Sequence, residues 1–117
     1  DERSAFIVRM TLDPGWHVNA NPASFPYLVP TSVEISGGSR TPEIRYPNGH
    51  PFRPGFSRTP IEVYEGTIDI AVALDAPLGA GDRVGLRFQA CDTLQCLPPD
   101  RAELVIDAAV RAQKTSP

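Results

Sequence analysis

The chain contains two cysteines, Cys91 and Cys96, separated by four residues. Two thiols at this spacing can form a disulfide, exchange it with another thiol, or bind a soft metal ion. The intervening segment, Asp92 to Gln95, is long enough to close a β-hairpin that sets the cysteines opposite each other. Opposed residues of antiparallel strands lie at the Cα separation that a disulfide requires. The spacing therefore permits a hairpin disulfide.

The residues before Cys91 predict which face of its strand the sulfur occupies. Successive residues of this strand face opposite sides. Cys91 shares its side with the polar Arg87 and Gln89, and the other side carries the apolar residues Val84, Leu86, Phe88 and Ala90. We therefore expect the sulfur on an accessible face, outside the core. A loop this short contributes only about 2 kcal/mol in the chain-entropy model, which makes a structural staple a weak explanation.

Spacing alone leaves three alternatives open for the pair. It could be a redox-active disulfide, or a structural hairpin disulfide in a non-catalytic binding module. It could also be two thiolates that handle Cu(I) or zinc, for which His17 and His50 are the available histidines. Neither histidine lies at ligand spacing to the cysteines, which disfavours the metal site.

The composition restricts both the fold and the partners. A chain of 117 residues predicts one domain, residues 1–117, and 13 prolines with nine glycines favour short strands over long helices. The net charge is −3, and the sequence has no stripe of basic residues such as nucleic-acid binding requires, so we expect no nucleic-acid partner. No apolar run approaches the roughly 18–20 residues of a membrane span.

Alternating apolar residues predict a series of short strands separated by turns. This pattern predicts an all-β fold, an immunoglobulin-like antiparallel β-sandwich. Residues 47–60 form the longest segment predicted to be irregular, and long loops in compact domains are often functional. The predicted strands cover residues 4–12, 16–19, 31–36, 43–46, 61–64, 67–74, 83–90 and 103–108.

Four blocks of the sequence together resemble a known family. They are FQAC at 88–91, CLPP at 96–99, PGWHVN at 14–19 and VYEG at 63–66. The chain is similar, roughly from Phe6 to Ile106, to the N-terminal periplasmic domain of the thiol:disulfide interchange protein DsbD family, a disulfide bond corrector-like domain. The resemblance implies an immunoglobulin-like sandwich with the cysteines on neighbouring strands.

The resemblance also implies a function for the pair and a place for it. Cys96 would form the mixed disulfide with a partner and Cys91 would resolve it, without a cofactor. Electrons would come from a membrane reductase through a thioredoxin-like domain. They would pass to disulfide-bearing periplasmic acceptors, such as a disulfide isomerase or a cytochrome c maturation thioredoxin. The domain would be periplasmic, part of a longer protein anchored in the inner membrane.

The resemblance further implies a cap and two neighbours for the active site. The cap would be the segment from Pro51 to Arg58, with Phe56 as the expected tip and Phe52 as the second candidate. His17 and Asn19 would flank the disulfide. A histidine there could stabilise a thiolate or relay a proton, and a plain exposed strand histidine is the alternative. The chain differs from some relatives in its shorter cysteine spacing and in a cap without acidic residues before the aromatic.

Overall fold

The computed structural model describes residues 4–37, 41–55 and 58–105, and this part of the chain contains strands and no helix. It therefore contains no helix long and apolar enough to cross a membrane. The ten strands are β1 (Ser4–Thr11), β2 (His17–Asn19), β3 (Ser32–Ser36), β4 (Glu43–Arg45), β5 (His50–Phe52), β6 (Ile61–Tyr64), β7 (Thr67–Leu74), β8 (Arg83–Phe88), β9 (Ala90–Cys91) and β10 (Asp100–Val105).

The strands form three antiparallel sheets that pack as an immunoglobulin-like β-sandwich. Their orders are β1-β7-β4, β10-β8-β3 and β5-β6-β2-β9. The predicted fold class is thus confirmed. All three sheets contribute to one hydrophobic core, which includes Ile70 and Leu74 from the first sheet, Val84 from the second, and Val18 and Tyr64 from the third.

In two places the chain passes from one sheet to another between consecutive strands that are separated by only one or two residues. Strands β6 and β7 are separated at Gly66, whose φ of 68° suits glycine, and its carbonyl accepts a hydrogen bond of 2.8 Å from the Leu12 N–H. Strands β8 and β9 are separated at Gln89. This second break takes the chain away from β3 and β10, so that Cys91 pairs with His17 of β2 instead.

The structure corrects two parts of the sequence-based prediction. Within the segment predicted to be irregular, residues 47–60, strand β5 pairs with β6. Pro51 is compatible with this strand because β5 lies at the edge of its sheet, where one side of the strand needs no ladder partner. The last predicted strand begins earlier, at Asp100, and positions 106–108 lie outside the described residues.

Candidate active site

The two cysteines form a disulfide at the base of a hairpin. Cys91 and Cys96 are an antiparallel bridge pair with a Cα separation of 4.0 Å. Backbone hydrogen bonds of 2.8 Å lie on either side of the pair, from Asp92 N–H to the Gln95 carbonyl and from Leu97 N–H to the Ala90 carbonyl. This places the cysteines at a position without mutual backbone hydrogen bonds, where opposed residues approach most closely.

The Asp92 side chain closes the turn between the cysteines. Its Oδ1 accepts hydrogen bonds of 2.8 Å from the N–H groups of Leu94 and Gln95. These two bonds stabilise the carboxylate and lower the pKa of Asp92. The sequence analysis gave Asp92 no role, although an aspartate at the start of a short turn is the usual signal for such a bond.

The burial of the two cysteines is very unequal, and for Cys91 this contradicts the prediction. Cys91 was expected on an accessible face, but only 4% of it is exposed, whereas Cys96 is an exposed residue. The alternation itself is right, because Ala90 packs against the core while Cys91 points to the opposite side. The prediction failed because other segments cover that opposite face.

A cavity of about 370 Å³ lies over the disulfide under this cover. Both cysteines contribute to its wall, together with the turn that joins them. The cover comes from the segment after β2 and from the end of β5 with the residues that follow. The other lining residues are His17, Asn19, Leu28, Phe52, Pro54, Gly55, Ile61, Gln89, Asp92, Thr93, Leu94 and Gln95. Pro54 and Gly55 belong to the predicted cap, whereas Leu28 and Ile61 had no site role in the sequence analysis, since nothing local marks them.

His17 lies directly opposite Cys91 in the ladder between β2 and β9. It is 4% exposed, so the alternative of an exposed strand histidine is wrong. Its ring packs against that of Phe52, with the centroids 4.3 Å apart. Burial lowers the pKa of His17 because the imidazolium would lose hydration, and this outweighs the nearby carboxylates of Glu65 and Asp92. The ring is therefore neutral near pH 7.

Asn19 lines the same cavity, but its side chain has a partner. It is 2% exposed, and its Nδ2 donates a hydrogen bond of 3.0 Å to the Val29 carbonyl. Thr31 adds a second link, because its Oγ1 donates to the Asn19 carbonyl at 2.7 Å. Hydrogen bonds to Asn19 thus hold the segment that carries Leu28 in place over the cavity.

Only part of the predicted cap lies within the described residues. Phe52 is half-buried at the end of β5, where it pairs with Ile61 and contacts His17. Pro54 is buried and Gly55 is exposed, and both line the cavity. Phe56, the expected tip, lies outside the described residues. Of the two predicted aromatics, Phe52 is the one that the described structure brings to the disulfide.

The described residues contain no group of three or more His, Cys, Asp or Glu side chains that could hold a metal ion. His50 instead lies near Glu65, with Nε2 to Oε1 at 3.5 Å, on the exposed side of β5. The arrangement at the cysteines is that of a disulfide with one buried and one exposed partner. Such a bond can be attacked by a thiolate at its exposed end.

Fold and site together define an immunoglobulin-like domain that carries a hairpin disulfide under a cover. A family model described as "Thiol:disulfide interchange protein DsbD, N-terminal" matches residues 1–108. The chain therefore belongs to this family, and the resemblance inferred from the sequence is confirmed. Domains of the family are periplasmic, and thiol–disulfide interchange is the chemistry that its description names.

The structural comparison points to the same fold. Seven chains of solved structures match significantly. One is described as the Neisseria meningitidis DsbD n-terminal domain in the reduced form, with 18% sequence identity and a TM-score of 0.58. The match covers 86% of this chain and 74% of that chain. A search of curated protein sequences gave no significant match.

Proposed function

We propose that this domain relays reducing equivalents in the periplasm, from a membrane reductase to oxidised partner proteins, through the Cys91–Cys96 pair. The observation that carries the proposal is the unequal burial of the two cysteines. A thiolate attacks a disulfide along the axis of the S–S bond, from beyond the sulfur that it attacks. Cys96 is exposed and Cys91 is 4% exposed, so a partner protein reaches the bond through Cys96.

The exchange then follows two steps in each direction. A thiolate of the donor attacks Cys96 Sγ, forms a mixed disulfide, and releases Cys91 as a thiolate. The donor's second thiol resolves the mixed disulfide, which leaves the donor oxidised and the domain with two thiols. On the acceptor, Cys96 attacks the disulfide, and Cys91 then attacks Cys96 Sγ to release the reduced acceptor. Two electrons pass in each round, and no cofactor takes part.

The surface around Cys96 favours a protein as the partner. Two apolar side chains flank the turn and the cysteine, Leu94 with 91% and Leu97 with 43% of the residue exposed. Exposed apolar side chains next to a reacting group are typical of an interaction surface. The thioredoxin-like donor domain and the disulfide-bearing acceptors would dock here, with Cys96 between the two leucines in sequence.

The cap in this proposal is the end of β5 with the residues that follow. Phe52 contacts His17 over the cavity, and Phe56 remains the expected tip. Cys96 is an exposed residue, but the disulfide also lines the cavity, so the cap would slow thiols that approach the bond from the cavity side. A partner that displaces the cap would reach Cys96 without obstruction, which would limit exchange to the proper proteins.

Trapping of a mixed disulfide tests the function. The reduced Cys91→Ser and Cys96→Ser variants are mixed with a thioredoxin-like domain that carries a single attacking cysteine, activated as its mixed disulfide with thionitrobenzoate. We expect Cys91→Ser to give a stable covalent complex, because the cysteine that it retains is an exposed residue, and Cys96→Ser to give little. Equal trapping by both variants would contradict the assigned roles. Failure of both would favour the alternative, a binding module with a structural disulfide.

A further inference from the structure

Among the described residues that line the cavity, His17 is a buried polar side chain without a hydrogen-bonding partner. The His17 imidazole contacts the Phe52 ring, and within the described ranges it makes no hydrogen bond. Buried polar groups are nearly always hydrogen-bonded, because an unpaired one loses its interactions with water. Because the imidazole lines a cavity, it is free to bond a polar group that forms there.

The register of the sheet places the sulfur of Cys91 beside the imidazole. His17 and Cys91 are directly opposed across β2 and β9, and both side chains line the cavity. Cβ atoms of directly opposed residues lie about 4.5–5.5 Å apart, within the reach of an imidazole and a sulfur. A disulfide sulfur is a poor hydrogen-bonding group, but the thiol or thiolate that forms on reduction is a donor or an acceptor.

We infer that His17 is the base that activates Cys91 for the resolving step. The inference rests on the proposed exchange function and adds to it the group that handles the proton. The imidazole takes the proton of the Cys91 thiol and becomes an imidazolium. The Cys91 thiolate attacks Cys96 Sγ, the bond between Cys91 and Cys96 forms, and the bond between Cys96 and the partner breaks. The partner leaves as a thiolate and takes up the proton from the imidazolium or from water.

The surroundings of His17 suit a base that works near neutral pH. Its burial keeps the ring unprotonated there, while the groups that act on it from neighbouring elements partly oppose each other. These groups are Glu65 after β6 and Asp92 after β9, which favour the imidazolium, and His50 of β5, which disfavours it. The Cys91 thiol is buried away from water, and without such a base it would give up its proton slowly.

The step can be isolated with the reduced domain and one equivalent of the aromatic disulfide of thionitrobenzoate. Attack by Cys96 releases the first thionitrobenzoate at a rate that depends on the reagent concentration. Resolution by Cys91 releases the second at a rate that does not. Stopped-flow absorbance therefore gives the resolving rate directly, and its pH profile distinguishes a base from a merely structural side chain.

We expect His17→Phe, which retains a ring against Phe52, to slow the second phase about 10²-fold near pH 7. The rate of the variant should rise tenfold per pH unit and meet the wild-type rate in alkali, where Cys91 ionises without help. The wild-type rate should fall only as the pH drops through the lowered pKa of His17. His50→Gln removes the other histidine of the chain and should keep the fast second phase near pH 7, while the fall at low pH should move slightly upwards because His50 disfavours the His17 imidazolium.

A chemical rescue covers the case in which His17→Phe does not fold. In His17→Ala, added imidazole should accelerate the second phase in proportion to its unprotonated concentration, since the cavity leaves room for it. Equal second phases in wild type and folded His17→Phe at every pH, or no response of His17→Ala to imidazole, would overturn the inference. Absence of a second phase in the wild type itself would instead count against the proposed exchange function.

Discussion

Reduction of the Cys91–Cys96 disulfide should cost the domain little stability. The bond joins residues only five apart in sequence, and a loop this short restricts the unfolded chain weakly. The chain-entropy model gives about 2 kcal/mol for the free energy of unfolding, a factor of roughly 30 in the folding equilibrium. A domain that cycles between two redox states must remain folded in both, and this small difference allows it.

The folded hairpin does not depend on the disulfide alone. The Asp92 N–H donates a hydrogen bond to the Gln95 carbonyl, and the Leu97 N–H donates one to the Ala90 carbonyl. The Asp92 carboxylate accepts two more from backbone N–H groups of the turn. These bonds keep the turn closed when the sulfurs separate. We therefore expect the reduced domain to retain its native contacts. Its lower free energy of unfolding should then come mainly from the greater conformational freedom of the reduced unfolded chain.

Urea unfolding of the oxidised and reduced domain, followed by circular dichroism, measures this difference. The midpoint should move by an amount that corresponds to about 2 kcal/mol. The Cys96→Ala variant controls for effects of the reductant, because its midpoint should be the same with and without it. A loss of more than about 4 kcal/mol, or unfolding of the reduced domain, would show that native packing depends on the bond, as for a structural staple.

Three further predictions concern the cap, the core and the turn. Phe52→Ala and Phe56→Ala should each speed reduction of the disulfide by a small thiol several-fold. Phe25→Ala, outside the cavity lining, should not. An equal rate of reduction in all three variants would contradict the proposed role of the segment as a cap. Tyr64→Phe should lower the free energy of unfolding by about 1–3 kcal/mol, since the buried hydroxyl bonds the Pro47 carbonyl at 2.8 Å; an unchanged urea midpoint would contradict this. The stabilisation from Asp92 should be complete above its ordinary pKa of 3.8 and disappear as the pH falls through its lowered pKa; NMR amide shifts of the turn that already change above 3.8 would refute it.

The sequence alone determined the fold class, because alternation in β1 and β7 and the many turn residues leave few architectures. It also determined that Cys91 and Cys96 could form a hairpin, since the spacing and the alternation are local properties. The position of Cys91 on the side opposite the core was likewise predictable from its neighbours. Local periodicity specifies the face of a strand on which a side chain lies.

The tertiary structure decided how accessible each cysteine is. Whether a face is covered depends on distant segments, and here Leu28 and Phe52 come from elements far from Cys91 in sequence. The same long-range packing sets His17 opposite Cys91, which follows from the change of sheet at Gln89 and has no local signal. Alternation gives the direction of a side chain, but burial is a property of what packs against it.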